Sequence, residues 1–211
     1  MKKSWDEDYK TMWDRRYEEN EFVYGKAPNL FFKEWLPKFE PGKVLMPADG
    51  EGRNGVYAAQ LGWEVTSFDL SVSGKQKALE LAKEQQVALE YQVGALDELH
   101  FEAASFDAMG LIYAHFGADK KSILHQELST YLKPGGLVIF EAFSKSHLTY
   151  NELDPKVGGP RDVHMLFSTE EVASDFKDYE ILLLEEREIL LEEGLYHVGK
   201  GSVIRFVGRK K

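Results

Sequence analysis

Gly50-Glu51-Gly52-Arg53-Asn54-Gly55 has the spacing G-x-G-x-x-G, and Asp69 closes the apolar run that follows it. Glycines one residue apart allow a tight turn and let a ligand approach the backbone closely. A carboxylate at Asp69 is placed to accept two hydrogen bonds from ribose hydroxyls. Together these suit any ligand that presents an adenosine, whether a nicotinamide dinucleotide or S-adenosylmethionine, and a plain strand-to-helix turn is the structural alternative. Glu51 and Arg53 put full charges between the glycines. A carboxylate there repels a pyrophosphate at a helix N-terminus, whereas an acidic loop costs nothing against a zwitterionic sulfonium. The loop therefore favours S-adenosylmethionine.

Two of the six histidines stand where they can take a proton. His115 follows the fourth apolar run on the ligand side and is the first candidate for a general base. His197, in Tyr196-His197-Val198-Gly199, reaches the same mouth from a closing hairpin. His147 and His164 fall in a long loop and read as surface residues, and His100 and His125 read as solvated. With no cysteine and no histidine pair at helical i, i+4 spacing, no metal site is expected. Trp13, Tyr17 and Tyr24 offer aromatic faces to a sulfonium or a substrate, although aromatics in such a segment more often simply pack. Arg161, after Gly158-Gly159-Pro160, offers a charge to an anionic acceptor, with a surface arginine as the plainer reading.

The elements that must hold these residues follow from punctuation and periodicity. Residues 5–20 are charged and aromatic together, and Pro28 opens a short helix whose Leu30, Phe31, Trp35 and Leu36 are apolar. A strand over 44–46 feeds the glycine loop, which leads into a helix over 54–61 closed by Gly62. A second strand over 63–68 ends at Asp69. Ser71 or Ser73 caps the next helix, with Ala78, Leu79, Leu81 and Ala82 on one face. Strands follow over 89–93 and 106–113. Asp119 caps a helix carrying Ile123, Leu124, Leu128, Tyr131 and Leu132, and Lys133-Pro134-Gly135-Gly136 turns into a strand over 137–140. Residues 144–167 show no periodicity and read as a long functional or mobile loop. Ser168-Thr169-Glu170-Glu171 has capping-box spacing, and two closing strands over 180–191 and 202–209 flank Glu193-Gly194. Alternating strands and helices mean an α/β fold with a parallel sheet covered on both faces.

Composition narrows the partners. A chain of 211 residues with 43% hydrophobic and 13% aromatic residues supports one well-buried domain. A net charge of −10 argues against nucleic-acid and anionic-membrane partners. Absent cysteines fit a reducing compartment, and with no apolar run of membrane length the expectation is a soluble cytoplasmic protein.

The ordered segments "VLMPADGEGRNGVYAA", "VTSFDLS", "SFDAMGLIYAHF" and "YLKPGGLVIFEAF" resemble the motifs of class I S-adenosylmethionine-dependent methyltransferases. "WDRRYEENEFVYGKAPN", "GGPRDVHMLFS" and "EEGLYHVGKGSV" resemble the cap and later segments of the TehB-like and thiopurine-methyltransferase-like branch, so the likeness spans nearly the whole chain. It implies a Rossmann-like, seven-stranded, mostly parallel sheet of order 3-2-1-4-5-7-6, its seventh strand antiparallel, with helices on both faces. Residues 1–40 would form an N-terminal helical cap on a core of residues 43–211. It places Gly50 and Gly52 beside the methionine part of the cofactor, Asp69 on the ribose, Leu70 against the adenine, and Ala95 and Leu96 at the adenine amino group. Ile112 and His115 fall beside the cofactor and the substrate mouth. Tyr24, matched with the cap, and Asn54 in the glycine loop join the candidate cofactor contacts. The chain departs from the family at Met46 and Ala48, where an acidic residue and a glycine are common, and at Ala95, where many relatives carry aspartate. Asp49 replaces a small residue and is a candidate to take the cofactor's amino group. The implied reaction is methyl transfer from S-adenosylmethionine, leaving S-adenosylhomocysteine, to a small-molecule acceptor by a monomer or homodimer. A non-catalytic cofactor-binding regulator is one alternative. An NAD-dependent reductase is another, but it needs a Tyr-Lys pair that is not evident.

Overall fold

The computed structural model describes residues 5–211. α1 (Trp5–Tyr17) and α2 (Leu30–Trp35) come first. Asn29, not Pro28, opens α2, because its side-chain oxygen accepts the Phe32 N–H at 3.0 Å and so satisfies a donor that the helix leaves orphaned. β1 (Lys43–Pro47) runs into the glycine loop, and α3 (Arg53–Gln60) leaves it from Gly52. Gly52 holds φ +79°, and a Cβ there would lie 2.5 Å from that of Ala78, so backbone sign and space both demand glycine. β2 (Glu64–Asp69) ends on the expected aspartate. Ser71 rather than Ser73 caps α4 (Val72–Glu84), accepting from Gly74 N at 3.0 Å.

β3 (Glu90–Val93), β4 (Phe106–Ile112), α5 (Lys121–Tyr131) and β5 (Leu132–Phe143) follow. Asp119 does not cap α5; the Lys121 N–H instead donates to the Gly117 carbonyl at 2.9 Å. The Lys133–Gly136 turn survives as an irregularity inside β5, where Leu132 pairs with Phe106 but Leu137 already pairs with Ala108. Residues 144–167 are not a bare loop, since they contain α6 (His147–Leu153). The face α6 buries carries His147 and Asn151, polar residues four apart, so no apolar period betrays it. α7 (Thr169–Asp175) starts from the expected capping box of Ser168 and Glu171. β6 (Tyr179–Glu193) and β7 (His197–Lys210) run longer than their apolar content suggests, pairing out to Glu193 against His197.

The sheet order is β3-β2-β1-β4-β5-β7-β6, with β7 antiparallel to both neighbours, the arrangement the resemblance implies. Alternation along the strands splits the core in two. Leu45, Met109, Leu111, Val138 and Phe140 face one side with Leu128 of α5 and Val172 and Phe176 of α7. Val44, Met46, Val65 and Ile139 face the other with Phe31, Phe32 and Ala58 of α2 and α3. Truncating a fully buried ring such as Phe140 costs about 3–5 kcal/mol. Leu79 and Ile123 lie outside both layers, 42% and 65% exposed, although the helical spacing places them with the apolar faces.

Candidate active site

The carboxyl ends of β1, β2, β4 and β5 open into one cavity of about 820 Å³, roofed by α1 and by residues 159–165. Parallel α/β sheets bind ligands at this edge, where strand order reverses. Asp69 anchors the first end of the cavity. Its two carboxylate oxygens accept from Gly50 N at 3.0 Å and Ser71 N at 2.9 Å. Each oxygen keeps a lone pair for a further donor such as a ribose hydroxyl. Burial raises its pKa to about 6, against the pull of those backbone donors. Gly50, Leu70, Ala95, Leu96, Asp97 and Ile112 line the cavity, but Gly52, which the resemblance also places beside the methionine part, is not in the lining and faces Ala78 of α4 instead. The Ala95 N–H is already engaged by the Glu98 carboxylate at 3.0 Å.

Charges that the sequence directs at a ligand are instead spent on holding the loop. Glu51 accepts from Val23 N at 2.8 Å and pairs with Lys77 at 2.8 Å, tying the cap segment to α4. Arg53 pairs with Glu193 at 2.9 Å, from the other end of the chain. Neither charge stands free, so the loop offers a sulfonium no unpaired carboxylate. Asp49 is likewise committed, accepting from Ser67 Oγ at 2.7 Å and Gly55 N at 3.3 Å. Burial pushes its pKa up to about 7 despite those donors. Asn54 borders the cavity, yet its side-chain oxygen accepts from Asn29 N at 2.9 Å and so braces the start of α2.

The other end of the cavity brings together His115, His197, Tyr24, Tyr113 and Phe143. His115 Nδ1 lies 3.3 Å from the Met165 carbonyl, so it carries the proton and donates. Its Nε2 is left a buried lone pair without a partner. Burial, reinforced by His197 and His147, drives its pKa down to about 3. His197 Nδ1 lies 2.9 Å from Glu193 Oε2, the same oxygen that Arg53 holds. Burial would raise the Glu193 pKa, but Arg53 and His197 bring it down to about 2. Burial also keeps His197 below the usual histidine range, outweighing the Glu193 charge. A neutral His197 whose Nδ1–H donates to Glu193 has its Nε2 lone pair fixed in direction. Tyr24, Tyr113 and Phe143 enclose that ring at 4.5, 4.6 and 5.1 Å between centroids. Tyr113 adopts φ +51°, a strained backbone for a bulky residue of the kind that clusters at functional sites.

His147 and His125 are fully buried, contrary to their reading as surface and solvated residues. His147 Nε2 donates to the Gly158 carbonyl at 3.0 Å, and His125 pairs with Asp175 at 2.8 Å. Glu193 is the residue that sequence reasoning missed. Its signal was available: Gly194 sets a hairpin tip that puts residues 193 and 197 directly opposite each other. Among the described residues no group of three or more His, Cys, Asp or Glu could hold a metal ion. Nor is any helix among them long and apolar enough to cross a membrane.

Residues 45–140 match the family model described as a methyltransferase domain. Three solved structures similar to the chain are informative. One, from work on the conversion of a disulfide bond into a thioacetal group during echinomycin biosynthesis, is 16% identical with a TM-score of 0.76, over 99% of this chain and 93% of that one. A S-adenosylmethionine-dependent methyltransferase from Anabaena variabilis is 18% identical, TM-score 0.70, over 99% and 96%. TehB from Haemophilus influenzae is 19% identical, TM-score 0.69, over 98% and 67%. At these identities the likeness establishes the fold. No curated protein matches the sequence.

Proposed function

We propose that this chain passes the methyl group of S-adenosylmethionine, the cofactor of its methyltransferase domain, to a small organic nucleophile. The observation that carries the reading is the continuity of the cavity, from the Asp69 carboxylate at one end to His197, backed by Glu193, at the other. The residues fit the cofactor. Asp69 keeps lone pairs for the ribose hydroxyls, Leu70 and Leu96 would supply apolar surface for the adenine, and Gly50 borders the cavity where the amino-acid part would lie. Trp13 and Tyr24 border the cavity as well, Trp13 stacked on Tyr17 and beside the Arg16 guanidinium, Tyr24 against His197.

When bound, the cofactor supplies an electrophilic methyl carbon, which the acceptor's lone pair takes in line while the C–S bonding pair stays on sulfur. The chain's own part is to orient the acceptor and exclude water. Tyr24, Tyr113 and Phe143 hold its body, and His197 Nε2 receives its proton when the nucleophile arrives as S–H or O–H. Glu193 acts through His197 as a positioning residue, fixing the tautomer and stabilising the imidazolium that forms. His115, held near pKa 3, takes up no second proton at neutral pH; its free Nε2 accepts a hydrogen bond from the acceptor instead. This reverses the ranking of the two histidines made from sequence. The resemblance of the cap supports placing the chain in the TehB-like branch.

Calorimetry with S-adenosylmethionine, S-adenosylhomocysteine and NAD tests the assignment, and labelled methyl transfer to a panel of thiols, phenols and chalcogen oxyanions tests the activity. Binding of both sulfur cofactors and transfer to at least one acceptor are expected. Binding of NAD alone overturns the cofactor reading, and binding without transfer across the panel leaves a silent binder.

A further inference from the structure

The acceptor end of the cavity carries two cationic side chains in a chain of net charge −10. Two arginines border it, Arg16 from α1 and Arg161 from the segment after Gly159, and among the described residues neither has a carboxylate at ion-pair distance. Arg16 is fixed in place: its guanidinium lies 4.8 Å from the centroid of the Trp13 ring and 5.0 Å from that of Tyr196, and donates to Tyr24 Oη at 3.1 Å. A planar guanidinium held in this way presents its remaining N–H groups without further loss of entropy. Arg161 is exposed, but its chain segment is pinned. Gly158 adopts φ +72°, and a Cβ there would lie 2.3 Å from the Tyr196 carbonyl oxygen, so this backbone rests directly on the hairpin that carries His197.

Among the described residues the nearby carboxylates make no ion pair with either arginine. Glu193 is neutralised by Arg53, and Asp162 accepts from His164 N at 2.9 Å as the cap of a short 3₁₀ turn. The lining around His197 and His115 includes the apolar surface of Tyr24, Phe143 and Met165. A bare inorganic oxyanion would leave that wall wet.

We propose that the acceptor is an organic monoacid, with an aromatic or alkyl body against this wall, its nucleophile at His197 and its carboxylate-type anion between Arg16 and Arg161. The inference rests on the methyl-transfer reading and adds the substrate class. Oriented cations in a cleft raise the local concentration of an anionic ligand and give charge-assisted hydrogen bonds. The acid end thereby sets which way the molecule enters and which atom meets the methyl group.

The test has a binding arm and a turnover arm. Benzoate and benzamide are titrated calorimetrically into protein saturated with S-adenosylhomocysteine, and 4-mercaptobenzoate is compared with its methyl ester as methyl acceptor. Benzoate is expected to bind and benzamide to bind about tenfold more weakly, with a similar preference in kcat/KM for the acid over the ester. Arg161→Gln and Arg16→Gln each reduce the acid-to-ester ratio, and Arg161→Glu shifts preference toward a cationic thiol such as 4-(aminomethyl)thiophenol. Arg161 is exposed, so its variants fold even if changes at Arg16 loosen the cap. An ester used as well as the acid overturns the proposal, as does an acid preference that survives both glutamine substitutions. Absence of S-adenosylhomocysteine binding overturns the methyl-transfer reading itself, a result the charge comparison alone never produces.

Discussion

Replacing Glu193 by glutamine separates the stabilising and positioning roles of one side chain. Glu193 is 14% exposed, accepts from Arg53 and His197, and is held at about 2 against its ordinary 4.5. A folded pKa depressed by that much is worth about 3 kcal/mol at neutral pH, in line with the ~3–5 kcal/mol for breaking a buried pair. For a domain of this size, that is a fall in melting midpoint of about 6–12 °C. The sign is that of a depressed carboxylate: the contribution is full above pH 4.5 and is lost as pH falls toward 2. At pH 3 roughly half of it remains. Urea unfolding of the native protein and Glu193→Gln at pH 7 and pH 3 measures this directly, and the gap between them is expected to narrow by about half. Turnover gives the second readout. Transfer to a thiol still protonated at the assay pH falls about a hundredfold in the variant, at the low end for general base catalysis. Transfer to a thiol already ionised changes far less, because it brings no proton to His197. A stability gap that is equal at both pH values refutes the ion-pair account. Equal losses on both thiols refute the positioning role.

Other outcomes follow from the same geometry. Asp69→Asn weakens S-adenosylmethionine binding by about tenfold or more in calorimetry. Native affinity also declines as pH falls through about 6, where Asp69 takes up a proton, and the variant loses that dependence. Asp49→Asn has the opposite pH sign. Its folded pKa of about 7 lies above the ordinary 3.8, so the native carboxyl costs stability progressively from pH 3.8 to 7. The variant should gain about 3 kcal/mol on the native protein between pH 5 and pH 8 in thermal melts. Gly158→Ala meets both a left-handed φ with ψ −158° and the Tyr196 carbonyl, and should lose at least ~1–3 kcal/mol in urea unfolding while raising the acceptor KM.

Much of the scaffold was legible because it depends on short-range rules. The Ser168–Glu171 box, the Ser71 cap, the strand ending at Asp69 and the glycine turn into α3 each require residues within about four positions of one another. The sheet order came with the family resemblance rather than from any local signal. Where the reading failed, the deciding partner was distant or the pattern was polar. α6 was missed because it buries His147 and Asn151 instead of an apolar stripe. His125 looked solvated because Asp175, which pairs with it, is 50 positions away.

The amino-acid sequence by itself determined where the chain turns, which faces are apolar and that a carboxylate meets a glycine loop at a sheet edge, since backbone preference and alternation act locally. Tertiary structure alone decided which charges are free. Glu51 and Arg53, adjacent to the same glycine, are neutralised by Lys77 and by Glu193, 26 and 140 positions away. A burial penalty is repaid only by a partner in contact, and contact between distant residues is set by the packing of the whole sheet. The same packing set Glu193 behind His197 and gave Arg16 and Arg161 no carboxylate at ion-pair distance among the described residues, which is why the chemistry of the acceptor end emerges only from the folded chain.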